Sequence, residues 1–163
     1  MMFLPLGVLQ QQIAGTSSHW SHAWTGAGGT TNNRYRFGFE FLVGSTDIGV
    51  NTLSFYAYGA GTENVRIHRE SDGALMAEAN INGSAGEWID STIAEVTLVA
   101  TAKYVISYRQ LDDSNRTIYK NQTGVTYDPQ ITKTDDAFGN DNDMPTYPTY
   151  GDEFLSARFG WQA

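Results

Sequence analysis

The sequence predicts an all-β protein, an antiparallel β-sandwich preceded by an extended apolar N-terminal arm. Three observations carry that prediction. Between Tyr35 and Arg109 apolar and polar residues alternate with a period of two, the side-chain period of a strand half buried against a core. Turn-forming clusters interrupt this stretch at intervals of about 8–12 residues, the spacing of a sandwich rather than of βαβ units. No comparable stretch places apolar residues at i, i+3, i+4 and i+7, as a buried helix face would require.

The elements follow in order. Tyr35, Phe37, Phe39 and Phe41 fall on one face of the first strand, and Arg36, Gly38 and Glu40 on the other. Leu53, Phe55 and Ala57 make a second such face. Val65, Ile67 and Arg69 alternate with Arg66, His68 and Glu70 in a third. Ser71-Asp72-Gly73 closes a hairpin, because Asp and Gly tolerate the positive φ of tight turns. Ala74 to Ile81 returns as a fourth strand, Glu87 to Thr92 and Glu95 to Val99 read as two more, and Tyr104, Ile106 and Tyr108 give the cleanest alternation. After a polar turn at Leu111 to Asn115, Thr117 to Lys120 reads as a short strand. Val125 to Ile131 reads as an edge segment, since Pro129 cannot donate to a ladder. Phe154 to Trp161, with Ala157, Phe159 and Trp161 on one face, reads as the closing strand.

Composition bounds the function. A chain of 163 residues is long enough for one domain with its own core, without covalent staples. The absence of cysteine excludes disulfides and thiolate metal sites. A net charge of -8, with only 10 Lys and Arg in the chain, argues against a nucleic-acid surface, which needs clustered basic residues. The expected organisation is an arm and linker over residues 1–33 and a sandwich domain over 34–163.

Within the sandwich, the aromatic opening strand Tyr35–Val43 is followed by VNTLSFYAYG, by NVRIHRESDGALMAEANI, by a Gly86-Glu87-Trp88 corner and by VTLVATAKYVISYR. That succession, over roughly residues 34–109, resembles the galactose-binding-like jelly-roll modules of bacterial surface proteins and tailed-phage virion proteins. The resemblance implies a jelly-roll-like sandwich and transfers no individual sugar-binding residue. It also implies that the closing strand returns beside Tyr35–Phe41.

The arm, Met1 to Gly15, is apolar at its start and uncharged. It lacks the positive head and small-residue cleavage pattern of a secretory signal, and Gln10 to Gln12 end the apolar run well short of the ~20 residues that span a membrane. The stretch LPLGVLQQQIAG is similar to the short apolar leader of many small phage virion proteins. On that reading Phe3, Leu4, Leu6, Val8 and Leu9 bury in a neighbouring subunit; the alternative is that they pack on this chain's own sandwich. Thr16 to Asn33, rich in Gly, Ser, Thr and Asn, reads as a linker. Trp20 and Trp24 within it suit a subunit contact, where aromatic residues are enriched, and with the arm they form the assembly set. His19 and His22 lack a third ligand of matching character and do not form a metal site.

Thr134 to Glu153 reads as an acidic surface loop. Asp141 and Asp143 are its candidate calcium ligands, carboxylates being what Ca²⁺ takes, although their spacing is not that of an EF-hand. Met144 to Tyr150 is stiffened by prolines and displays Tyr147 and Tyr150, which with Trp88 are the candidate ligand-binding residues for a host-surface glycan or a protein. No nucleophile elbow, zinc-protease motif or phosphate-cradling glycine loop is present, and the carboxylates lie in turns and the acidic loop rather than in a marked pair. The expectation is therefore a non-enzymatic, homo-oligomeric phage virion protein. It would be held to other virion proteins by its arm, with no cofactor and no nucleic-acid or membrane partner, as capsid decoration or a tail-associated adsorption subunit on the particle surface. The alternative is a secreted, extracellular carbohydrate-binding module.

Overall fold

The computed structural model describes residues 21–22, 27–31, 35–57, 60–84, 86–111, 116–120, 125–126, 129–140, 144–146 and 157–162. The strands are β1 (Ser21–His22), β2 (Ala27–Thr31), β3 (Tyr35–Val43), β4 (Ile48–Ala57), β5 (Gly61–Arg69), β6 (Leu75–Gly83), β7 (Glu87–Leu98), β8 (Lys103–Gln110), β9 (Arg116–Lys120), β10 (Val125–Thr126), β11 (Ile131–Asn140) and β12 (Ala157–Gln162). Among the described residues there is no helix.

Two antiparallel sheets form the sandwich, one of five strands ordered β11-β3-β8-β5-β6 and one of three ordered β12-β4-β7. Two-stranded ribbons, β1-β10 and β2-β9, accompany them. The chain passes from sheet to sheet as it goes: β3 lies in the larger, β4 in the smaller, β5 and β6 in the larger, β7 in the smaller and β8 back in the larger. Apart from the β5–β6 pair, successive strands thus alternate between the two sheets of a β-sandwich.

The core follows from register. Phe37 faces Tyr108, Phe39 faces Ile106 and Phe41 faces Tyr104 across the β3–β8 ladder, so the aromatic faces of two alternating strands coincide. Val65 and Ile67 of β5 continue that face, paired with Tyr108 and Ile106. From the opposite sheet Ile48, Val50, Leu53 and Phe55 of β4 and Phe159 and Trp161 of β12 close the interior, all of them buried. Ring contacts tie the sheets together: Phe159 lies 5.0 Å from Phe41, and Phe55 lies 5.1 Å from Tyr108. Burying a large aromatic side chain contributes about 1.5–3 kcal/mol, and these contacts are distributed over both sheets rather than at one end.

The expected hairpin is present. Gly73 adopts φ of 69°, Arg69 N–H donates to the Ala74 carbonyl at 2.9 Å, and the Arg69 guanidinium grips Asp72 at 2.6 Å. That contact and the Ala74 N–H bring the Asp72 carboxyl down to about 2.

Several expectations are corrected. The closing strand does not pair with Tyr35–Phe41: β12 pairs with β4, Ala157 opposite Phe55 and Phe159 opposite Leu53, and meets Phe41 only across the core. Glu87 to Thr92 and Glu95 to Val99 are not two strands but one, β7, whose register against β4 shifts between Val50 and Thr52. A bulge lets a strand absorb extra residues without ending. Thr134 to Asn140 is not loop but the greater part of β11, which pairs with β3 from Ile131 opposite Val43 to Asn140 opposite Tyr35. Pro129 and Gln130 form the turn that leads into it, so only Val125 and Thr126 of the expected edge segment are in a strand of their own. Within the expected linker, Ala27–Thr31 is a strand paired with Arg116–Lys120, and Ser21–His22 pairs with Val125–Thr126.

Candidate functional site

The candidate site lies on the outer face of the three-stranded sheet. Leu53 and Phe55 of β4 point inward, so Ser54 and Tyr56 point outward; the same alternation turns Trp88 and Asp90 of β7 and Arg158 of β12 to that side. Register sets them in rows. Arg158, Ser54 and Asp90 lie across from one another on the three strands, and Tyr56 and Trp88 form the next row. The row on the other side is Gly160, Thr52 and Thr92. Gly160 brings no side chain there and is itself buried.

Arg158 reaches over Ser54 to place its guanidinium carbon 4.1 Å from the centre of the Trp88 ring. A guanidinium stacked on an indole is held by about 0.5–2 kcal/mol, more as it is desolvated. Tyr56 meets Trp88 edge-on, ring centres 5.6 Å apart. Arg158 Nη2 stands 3.7 Å from Asp90 Oδ1, an ion pair too long to be a hydrogen bond. The Arg158 side chain is 18% exposed and that of Asp90 53%. Burial pulls the Arg158 pKa below its ordinary value, with Asp90 acting in the opposite direction. Arg158 Nε and Ser54 Oγ, both out of contact with solvent, have no hydrogen-bond partner among the described residues. Such atoms cost about 1–3 kcal/mol apiece, and here two occupy one cross-strand row.

The outer face of the five-stranded sheet is built differently. Arg36, Asn64, His68, Val105, Ser107 and Ala137 are all buried on it. Asn64 is the centre of a network: its Oδ1 accepts from the Arg36 guanidinium, and its amide donates to Glu78 and to Asn80, each at 2.7 Å. Arg66 Nε donates to the same Glu78 oxygen at 2.7 Å. Burial opposes ionisation of Glu78, yet the Asn64 and Arg66 hydrogen bonds and the Arg66 and Arg36 charges carry its pKa below the usual value. Met144–Thr146 crosses this face; Pro145 is buried against Gly139, where a Cβ would stand 2.7 Å from Pro145 Cα.

Beside that strap is a cleft of about 100 Å³ lined by Glu40, Glu70, Asp135, Val105, Met144 and Pro145 among others. Its carboxylates are not arranged as a metal site, since Glu40 Oε1 already accepts from Lys103 Nζ and Thr134 Oγ1 at 2.7 Å each. The hydrogen bond and charge of Glu40 raise the Lys103 pKa. Among the described residues no group of three or more His, Asp or Glu is placed to hold a metal ion.

Of the residues singled out in the sequence, Trp88 is in the site, half buried on β7. The arm residues Phe3, Leu4, Leu6, Val8 and Leu9, the linker residues Trp20 and Trp24, the calcium candidates Asp141 and Asp143, and Tyr147 and Tyr150 lie outside the described residues. Tyr56, Asp90 and Arg158 were missed. Alternation alone turns Tyr56 away from the core, but only the pairing of β12 with β4 brings Arg158 to Asp90, and sequence spacing carries no sign of that pairing.

A scan against protein-family models finds no match for this chain, and a search of curated proteins finds none either.

Proposed function

We propose that this protein is a non-enzymatic virion subunit of a bacteriophage, a β-sandwich held to the particle by its apolar N-terminal arm and serving as capsid decoration or a tail-associated adsorption protein. The observation that carries the reading is the combination of two features. The sandwich fills its own interior from both sheets with residues between Phe37 and Trp161, and an uncharged apolar run, Met1 to Gly15, precedes it in the chain. A run of this kind gains most by burial, at about 25 cal/mol per Å² removed from water, and a neighbouring subunit offers the surface for it. The similarity of LPLGVLQQQIAG to virion leaders and of the sandwich strands to jelly-roll modules supports the same reading. Homo-oligomers of such subunits follow from particle symmetry.

The test is quantitative mass spectrometry of purified particles together with removal of Met1 to Gly15. Many copies per particle are expected for decoration of the head and few for a tail position; absence from particles overturns the proposal in favour of a secreted carbohydrate-binding module. The shortened protein is expected to keep its thermal transition and lose assembly. A shortened protein that unfolds would instead make the arm part of the core.

A further inference from the structure

We infer that the outer edge of β7 is the surface on which a second copy of this chain docks, the two β7 strands pairing antiparallel about a two-fold axis. The two edges of the three-stranded sheet differ in a way that points there. β12 forms one edge, and its inward residues Ala157, Phe159 and Trp161 are 1%, 0% and 2% exposed. β7 forms the other, and its inward Ile89, Ile93 and Val96 pack against the core yet stay half-exposed. Among the described strands β7 has a ladder with β4 alone. The usual guards of an edge are thin here: β7 holds no Lys, Arg or Pro, and between Ile89 and Ile93 its one charge is Asp90. The edges of the larger sheet are better guarded. β11 carries the Lys133–Asp136 ion pair on its inner face, and β6 has Glu78, Asn80 and Asn82 already bonded to β5.

Self-complementarity selects the second copy as the occupant and fixes the register. A two-fold axis on Asp90 would set two carboxylates face to face, which is unfavourable. A two-fold axis on Ser91 sets Ile89 opposite Ile93 of the second copy, twice, on the inner face. It sets Asp90 opposite Thr92, also twice, on the outer face. Apolar meets apolar, and a carboxylate meets a hydroxyl that can donate to it. The two three-stranded sheets then become one of six strands, with both cores on the same side. The register of β7 against β4 is unbroken from Glu87 to Thr92 and shifts beyond it, so the bulge bends the rest of the strand away and keeps the pairing short. Each copy uses its β7 edge on the other, so the contact closes as a dimer and does not propagate. A pairing of this length lies at the small end of specific interfaces, with a dissociation constant of about 10–100 µM.

The inference rests on neither the arm nor a particle, and substitutions at Thr92 keep it apart from assembly through the arm. The experiment is sedimentation equilibrium of the full-length chain from about 1 µM to about 1 mM, with hydrogen exchange followed over the same range. Salt of about 0.15 M screens the charge of -8 on each copy. The mass is expected to rise from 18.0 kDa toward twice that value, and amides between Ile89 and Ile93 to become protected as it does. Thr92 is exposed and on the outer face, so it accepts a charge without disturbing the core. Thr92→Lys, facing Asp90 of the second copy, is expected to tighten the dimer about three- to tenfold. Thr92→Asp is expected to loosen it by about the same factor, each change entering twice. Should either variant fail to fold, the exchange pattern of the parent decides alone. A monomer up to about 1 mM, protection that appears on β6 or β11 instead of β7, or self-association that is the same in Thr92→Lys and Thr92→Asp would each overturn the inference.

Discussion

The two outer faces of the sandwich put polar side chains to opposite uses. On the five-stranded sheet, Arg36, Asn64, Glu78, Asn80 and Arg66 satisfy one another over three strands, and Asn64 and Arg36 are as buried as core residues. On the three-stranded sheet, Arg158 and Asp90 form a long ion pair of 3.7 Å, and Ser54 lies beneath them with no hydrogen-bond partner among the described residues. Both faces are produced by the same alternation, apolar in and polar out. What differs is reach. Asn64 sits where its three amide contacts all fall within hydrogen-bond distance, whereas Arg158 spends its length crossing Ser54 to stack on Trp88. A satisfied network fixes a sheet, whereas an unpaired buried polar atom costs stability.

The largest expected effect tests the sealed face. Asn64→Ala removes one acceptor of the buried Arg36 guanidinium and the donor to Glu78 and Asn80, at a residue that is itself only 3% exposed. A loss of about 2–4 kcal/mol is expected in urea unfolding, with the slope of the transition unchanged. A loss below about 1 kcal/mol would mean that the network only decorates the sheet.

A smaller effect, set by pH, sharpens the same point. The Glu78 carboxyl titrates lower in the fold than its ordinary 4.5. A depressed carboxylate contributes stability that is present above its unfolded pKa and lost as pH falls through its folded pKa. Glu78→Gln is therefore expected to melt below the parent at pH 7, and the gap is expected to close as the pH drops below 4.5. Because the Glu78 side chain is 38% exposed, solvent screening keeps this gap small. A gap that persists unchanged to pH 3 would place the benefit in shape rather than charge.

The legibility of the two faces differs in the same way. The inner faces were readable because Phe37, Phe39 and Phe41 and then Tyr104, Ile106 and Tyr108 repeat at the strand period, and burial enforces that period wherever one side is core. Strand β11 was not readable. Its polar stretch Thr132-Lys133-Thr134-Asp135-Asp136 belongs to an edge strand, which tolerates charge, and its register breaks between Lys133 and Asp135, so alternation fails where it was needed. Trp88 could be named from its corner beside Gly86, but its partners could not. Arg158 is 70 positions away and reaches Trp88 only because β4 lies between β12 and β7. Strand order is a long-range property, and no local signal in the sequence encodes it.

The smallest expected effect falls on the three-stranded face. Ser54→Ala deletes a hydroxyl that is fully buried and has no hydrogen-bond partner among the described residues. Removing a buried polar atom that is already unpaired relieves its desolvation cost, so the variant is expected to equal the parent or gain up to about 1 kcal/mol. The backbone demands nothing of Ser54, since the position is mid-strand between Leu53 and Phe55 and its ladder bonds to β7 and β12 use the main chain. Urea unfolding of the two proteins measures the difference. A loss of about 1 kcal/mol or more would show that Ser54 has a partner in solution, an ordered water shared with Arg158 Nε being the nearest in chemistry. The three-stranded face would then be a hydrated version of the sealed one, and the contrast between the two sheets would reduce to which of them completes its network with protein atoms and which with water.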